Sequence, residues 1–453
     1  MRLHPAALLI TFLLAAGFAA VGETVLWRRS RDLQAWNESF LAGAGICAAA
    51  LFPLSLLFPR SALRTVLALI GASLVFTVVR RVRGPREPVR AVGDRLDATS
   101  RILLAAILLC AAWFAAVDLR YNMLWDGFQI WASKAQLLFY RGALVKSWYP
   151  GDTYELRHVT YPSLVPVYEA LLPLVRGPFD FDAFKPIFLP FYVSLLVATF
   201  GAARAVVSTR LALVATLLVA LVPQLSTGPA AGGYADMPQA AFVAGVASAA
   251  LRPRGRDALP WLIGSLTTVK SEGTILAVAA CAAVVLFWLF EPARRARFRR
   301  AVPWPSVAIV AAFFVLRIAL LRWVSAPDMV YVLDRAHLTQ ALGRVPDVAR
   351  LCLVKALSPR RWGLFWPAFF ASGIALLLRG SARDKSLAVT IAATAVVLAT
   401  VFLFSTWPLD VHIDQAYPRL LGQLAPAAAV VIVLGYDLAS RARPGREAAT
   451  PES

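Results

Sequence analysis

Apolar runs of roughly 17 to 23 residues recur along the whole sequence, each long enough to cross a hydrocarbon core of about 30 Å. No other feature narrows the fold so far, because a chain inside a bilayer must satisfy its backbone hydrogen bonds within helices or closed barrels. These runs are continuous and lack the alternation of apolar and polar residues that marks barrel strands. The expectation is an all-α, polytopic membrane protein. Composition agrees: of 453 residues, 59% are hydrophobic and 16% charged, against about 25% charged in a soluble chain, and the mean hydropathy is +0.66. Candidate spans lie near 5–27, 39–58, 62–79, 102–118, 185–203, 211–226, 232–250, 258–270, 274–290, 303–322, 363–378, 386–405 and 418–438, about thirteen by hydropathy. The first run has no basic flank and no clear cleavage site, so it reads as a retained helix and not as a signal peptide.

The net charge of +20, from 46 Lys and Arg against 26 Asp and Glu, does not point to nucleic acid, because no separate basic domain carries it. The basic residues instead cluster between apolar runs. The segment "RRVRGPREPVRAVGDRLDATSR" (80–101) holds seven arginines against three acids, and "EPARRARFRR" (291–300) holds five arginines. Together with "WRRSRD", "LRPRGRD", "LLLRGSARDK" and "SRARPGRE", they form the positive-inside signature of cytoplasmic loops. That assignment puts the N-terminus outside and the C-terminus inside a bacterial inner membrane. It places 119–184, the start of the 232–250 helix, the 270–273 turn and the loops 323–362 and 406–417 on the periplasmic face. The apolar stretch "YPSLVPVYEALLPLVRG" (161–177) must then not cross. Pro162, Pro166 and Glu169 fit a re-entrant or interfacial helix.

The division expected is a three-helix membrane segment with its basic loop over 1–100, a main membrane domain over 101–441, and a disordered polar tail over 442–453. Cys47, Cys110, Cys281 and Cys352 are scattered, and so are the four histidines. Neither set has the spacing of a disulfide framework or a metal site.

The polar residues of the periplasmic face are the unusual ones. In "NMLWDGFQIWASKAQLLFYRG" (122–142), Phe128, Trp131, Ala135 and Leu138 form one stripe at helical spacing, and Gln129, Ser133, Gln136 and Tyr140 another. This predicts a helix in the interface plane, anchored by Trp125 and Trp131 at headgroup depth. Asp126 heads it, where an acid suits the helix dipole and can serve as a cap. "GGYADMPQAAF" (232–242) puts Asp236 within the first turns of a span, where a charge is costly unless paired or in a wet cavity. "TTVKSEGTIL" (267–276) puts Lys270 and Glu272 at a helix–helix turn. "WPLDVHIDQAYPRLLGQLAP" (407–426) adds Asp410, His412, Asp414 and, just inside the last span, Arg419. Two acids and several bases on one face make the set that glycosyl transfer from a lipid-phosphate sugar needs. A carboxylate takes the acceptor's proton, cations neutralise the leaving phosphate, and aromatics pack on sugar and lipid.

From about Arg101 to Arg441 the sequence resembles the GT-C class of integral-membrane glycosyltransferases, in the protein O-mannosyltransferase-like and lipopolysaccharide-modifying branches that include aminoarabinose and galacturonic acid transferases. The resemblance is strongest in "WDGFQIWASKAQLLFYRGAL" followed by "HVTYPSLVPVYEALL". "YADMPQAAF", "KSEG" and "YPRLLGQLAP" follow in the family's order. It implies a GT-C-like fold with interfacial helices in the first large outer loop, and a polyprenyl-phosphate-linked sugar donor. The acceptor would be a lipid, glycan or protein of the cell envelope, with inverting hexosyl or pentosyl transfer. It implies Asp126 as catalytic base and Asp236 as a second acid that orients acceptor or base. Lys134, Lys270 and Arg419 become candidates for the donor phosphate, and Trp125, Trp131, His158, Tyr161 and Glu272 would line the cavity. Many family members carry an Asp-Glu pair in the first loop, whereas here Gly127 follows Asp126. No carboxylate cage for a metal is apparent, so no cofactor is expected, and that departure leaves the part of a divalent cation open. The competing reading is a transporter or flippase of a lipid-linked or amphipathic solute, which intramembrane charges also suit.

Overall fold

Each apolar segment read from the sequence contains helix in the computed structural model, which describes residues 5–27, 32–83, 96–146, 158, 160–290, 304–324 and 335–441. In chain order the helices are α1 (Pro5–Val25), α2 (Leu33–Leu57), α3 (Ala62–Arg83), α4 (Ala98–Arg120), α5 (Ser133–Arg141), α6 (Leu164–Arg176), α7 (Phe188–Arg204), α8 (Thr209–Ala220) and α9 (Pro223–Ser226). There follow α10 (Asp236–Leu251), α11 (Leu259–Leu266), α12 (Glu272–Phe290), α13 (Trp304–Val324), α14 (Arg335–Ala356), α15 (Pro359–Trp362), α16 (Phe365–Arg379), α17 (Ala382–Thr400) and α18 (Leu409–Arg441). The described residues contain no strand. Among the described residues, eight stretches are long and apolar enough to cross a membrane: α1 to α4, Lys185–Arg204, α13, Ala382–Phe404 and α18. The polar tail 442–453 and the arginine-rich segments 84–95 and 291–300 lie outside the described residues.

Local chemistry sets several boundaries. Asp32 and Asp97 cap α2 and α4 by accepting the Ala35 and Ser100 N–H at 2.7 Å, and Ser381 with Asp384 forms a capping box on α17, satisfying amides that a helix start leaves unpaired. Along their apolar windows Lys185–Arg204 and α18 are 83% buried, whereas α4 and α13 are 17% buried. The former pair makes the centre of the bundle and the latter its rim. Helices α1 and α2 share this core with the rest. The Tyr168 hydroxyl of α6 donates to the Thr11 carbonyl at 2.6 Å, and Arg252 pairs with Glu38 at 2.8 Å.

Three expectations need correction. The stretch 161–177 does form a short helix, α6, but it packs against α5, α1, α2 and α3, which corrects the interfacial alternative and leaves the re-entrant one. Its residues from Leu164 to Pro173 are all buried. Thirteen residues rise about 20 Å, too little to span. The loop expected at 323–362 contains helix α14. Ala341, Val348, Cys352 and Ala356 recur at helical spacing and are buried, but the intervening charges hide them from a hydropathy window. The last helix begins at Leu409, so Asp410, His412 and Asp414 sit on its first turns and not on a loop, and Arg419 lies about three turns inside it.

Helices α1 and α2 touch backbone to backbone. A Cβ at Gly43 would meet the Phe18 carbonyl oxygen at 1.8 Å, and one at Gly22 the Ser39 carbonyl oxygen at 2.0 Å. Small residues of this kind let membrane helices approach closely. Gly43→Ala should therefore cost about 1–3 kcal/mol. Thermal unfolding in detergent checks this against Gly71→Ala, where a Cβ meets nothing within 4 Å, and equal melting temperatures for the two variants would reject it.

Candidate active site

After α4 the chain runs extended through Asn122 to Leu124, where the Leu124 N–H donates to the Gly232 carbonyl at 2.9 Å. The helix that follows opens with a π-turn, Gly127–Ala132, before continuing as α5. Such turns insert a residue and re-aim the side chains around them. Gly127 is pressed against the loop before α10: a Cβ there would lie 2.2 Å from the Gly232 oxygen. Asp126 stands at the head of the π-turn and makes no capping bond. Its Oδ2 instead accepts from Arg419 Nη2 at 2.7 Å. Among the described residues its Oδ1 has no hydrogen-bond or ion-pair partner.

Arg419 reaches a second carboxylate. Its Nη2 and Nε lie 2.8 Å from Asp236 Oδ2, and its guanidinium stacks over the Tyr234 ring at 4.5 Å. Asp236 Oδ1 accepts from Lys270 Nζ and from Gln423 Nε2, both at 2.9 Å. Lys270 also pairs with Glu272 at 3.3 Å. Burial alone would pull the Lys270 ammonium down, but Asp236 and Glu272 outweigh it and hold it above the usual lysine range. The resulting group joins α10, the α11–α12 turn, α18 and the segment after α4, four places far apart in sequence. Among the described residues no three His, Cys, Asp or Glu side chains gather as a metal site.

A cavity of about 710 Å³ opens above this group. Of the ten residues singled out from the sequence, Trp125, Asp126, His158, Tyr161, Lys270, Glu272 and Arg419 line it. The other three do not. Asp236 is buried beneath, where it holds Arg419 and Lys270. Trp131, expected at headgroup depth, is buried and stacks on Tyr161 at 5.4 Å. Phe128, on the same apolar stripe, is exposed. Lys134 is buried behind Tyr161, donating to the carbonyls of His158 at 2.6 Å and Tyr161 at 3.4 Å.

Sequence reading missed Tyr234, Gln423, Arg361 and Arg317. Gln423 could have been found, since a glutamine in an apolar span four residues after Arg419 shares its helix face. Arg317 sits in the middle of α13. It donates to the Thr160 carbonyl at 2.6 Å and the Ser271 hydroxyl at 3.1 Å, tying the two cavity-lining turns together. The loop that carries Tyr234 is fixed from below by a buried pair: Lys185 meets Asp118 at 3.1 Å and also donates to the Ala231 carbonyl.

Lys134 has carbonyl partners but no carboxylate among the described residues. Burial, with Arg317 nearby, brings its ammonium down to about 7. The unfolded chain keeps this lysine protonated to about 10.5. Between those values the unfolded state holds the extra proton, so the contribution of Lys134 to stability rises with pH. Lys134→Met should remove that rise. Wild-type and variant melting temperatures in detergent, compared at about pH 7 and about pH 10, should diverge in favour of the wild type at the higher pH. A gap that does not change with pH would rule this out.

A scan against protein-family models finds no match, and neither does a search of curated proteins. Among solved structures, the crystal structure of ArnT from Cupriavidus metallidurans bound to undecaprenyl phosphate is similar to this chain over 75% of its length, at 15% identity and a TM-score of 0.49. The matched part covers 61% of the ArnT chain, a little under two thirds of that protein.

Proposed function

We propose that this protein is a membrane glycosyltransferase that moves a sugar from a polyprenyl-phosphate donor to a hydroxyl of a cell-envelope acceptor. The observation that carries the reading is Asp126, a carboxylate in a cavity wall with one oxygen clamped by Arg419 and the other without a partner among the described residues. The clamp fixes its orientation, and the remaining oxygen is available to a substrate proton.

In this reading Asp126 takes the acceptor's hydroxyl proton as the acceptor oxygen attacks the anomeric carbon. The bond from that carbon to the phosphate oxygen breaks, and the phosphate leaves with the electron pair, inverting the centre. Asp236 acts through Arg419 and is a positioning residue. Trp125, Tyr161, His158 and Tyr234 supply the flat surfaces on which sugars and prenyl groups pack. The cavity gathers the C-terminal end of α4 and the N-terminal ends of α10 and α18, while Arg252 and Arg441 mark the opposite ends of the latter two. That polarity supports a site on the periplasmic face.

Asp126→Asn should lower transfer from a labelled polyprenyl-phosphate sugar by about 10²–10⁴-fold while leaving membrane insertion intact. Undiminished turnover would remove Asp126 as the base. Trp407, exposed at the cavity wall, provides the test of sidedness. In a cysteine-free background, Trp407→Cys should react with an impermeant thiol reagent added to the periplasmic side of intact cells. Labelling that requires cell lysis would overturn the orientation.

A further inference from the structure

The cavity is not uniformly charged, and its polarity differs from what the sequence suggests. At its floor Lys270 and Arg419 each hold two carboxylates, so two cations face three acids, Asp126, Asp236 and Glu272. An anionic group placed there would meet cations already neutralised and a surplus of negative charge. At a second cluster in the lining the balance reverses. Lys355 at the end of α14 and Arg361 on α15 converge on one oxygen of Asp414, Arg361 at 2.8 Å. Arg361 gives a second N–H to the Asp414 carbonyl at 3.3 Å. A guanidinium has five N–H donors, so three of those on Arg361 have no protein partner among the described residues. Both Arg361 and Asp414 line the cavity, and Lys355 and Arg361 are partly exposed.

Exposed aliphatic residues neighbour this pair in the chain, together with the exposed Arg360. Leu353, Val354, Leu357 and Leu364 flank Lys355 and Arg361 along α14 and the turn into α16, and all four are exposed. Cationic donors set in an exposed aliphatic edge suit an anionic head on a hydrocarbon chain better than a free anion, since tail and head are bound side by side.

We propose that Lys355 and Arg361 form the subsite for the phosphate group of a lipid-linked phosphate, which competes with Asp414 for the two cations, and that Lys270 and Arg419 serve the carboxylates of the floor. This rests on the glycosyl-transfer reading and assigns the donor's phosphate to the α14–α15 edge. Phosphate leaves toward that wall, away from the carboxylate that takes the proton.

The test is binding of a radiolabelled polyprenyl phosphate to the full-length protein in phosphatidylcholine nanodiscs. Arg361→Gln and Lys355→Gln should each weaken binding about ten- to a hundredfold, the loss expected for a charge-assisted hydrogen bond. Asp414→Asn should tighten it, because removing the acid leaves both cations to the phosphate, and added salt should shrink that gain. Loss of fold cannot mimic a gain in affinity, so this variant decides the matter even if the other two unfold. Unchanged affinity in the Gln variants, or weakening in Asp414→Asn, overturns the subsite while leaving the glycosyltransferase reading intact. Competition by inorganic phosphate at concentrations equal to the lipid overturns the lipid as the source of the phosphate. Absence of binding to the wild type overturns both readings together.

Discussion

Asp236 is the carboxylate on which the rest of the site depends. It is buried at the start of α10, and three side chains converge on its two oxygens. Removing a carboxylate from water costs several kcal/mol, and the cost is offset only where geometry is good and the oxygens are well bonded. Here both conditions hold, and the arrangement is correspondingly intolerant: removing one partner of a buried ion pair destabilises by about 3–5 kcal/mol. The same group fixes where Arg419 lies, and Arg419 fixes Asp126. A residue of the first loop is thus positioned by a core helix through one guanidinium. The floor of the cavity has a defined shape because this chain of contacts leaves little room for alternatives.

The close approach at Gly127 explains a departure that the sequence presented without a reason. The segment after α4 docks on the loop before α10 through the Leu124–Gly232 hydrogen bond, and Gly127 lies where any side chain would strike the Gly232 carbonyl. An acidic residue directly after Asp126 would not fit this packing. The docked loop also carries Tyr234, which stacks on Arg419.

Much of this was legible in the sequence, and the failures have physical causes. The helical class followed from continuous apolar runs, because the backbone in lipid allows few other solutions. The grouping of Asp126, Asp236, Lys270 and Arg419 followed from charge sidedness, which is a property of whole segments and survives errors in helix boundaries. Partner choice was not legible. Lys134 and Lys270 look alike in sequence, yet one meets two carbonyls and the other two carboxylates. Which of these a lysine finds depends on packing between distant helices. Helix α14 escaped because its buried stripe is narrow and interrupted by charge, and Arg317 escaped because one arginine within an apolar run resembles a boundary anchor. Trp131 was misplaced for a related reason: a tryptophan near an interface can face lipid or core, and the π-turn rotates this one into the core.

The two charge balances, negative at the floor and positive at the α14–α15 wall, bear on how one cavity can serve both ends of a transfer reaction. Asp126 can work as a base because Arg419 claims only one of its oxygens. A leaving phosphate is stabilised where cations are in surplus. Placing both functions on the same two cations would set the carboxylates and the phosphate in competition for Lys270 and Arg419, and the carboxylates, already bonded at 2.7–2.9 Å, would hold the advantage. Separation removes that competition. It also gives the amphipathic helix α14 a role that its sequence does not announce: it brings a lysine to a carboxylate of the cavity lining, beside exposed aliphatic side chains.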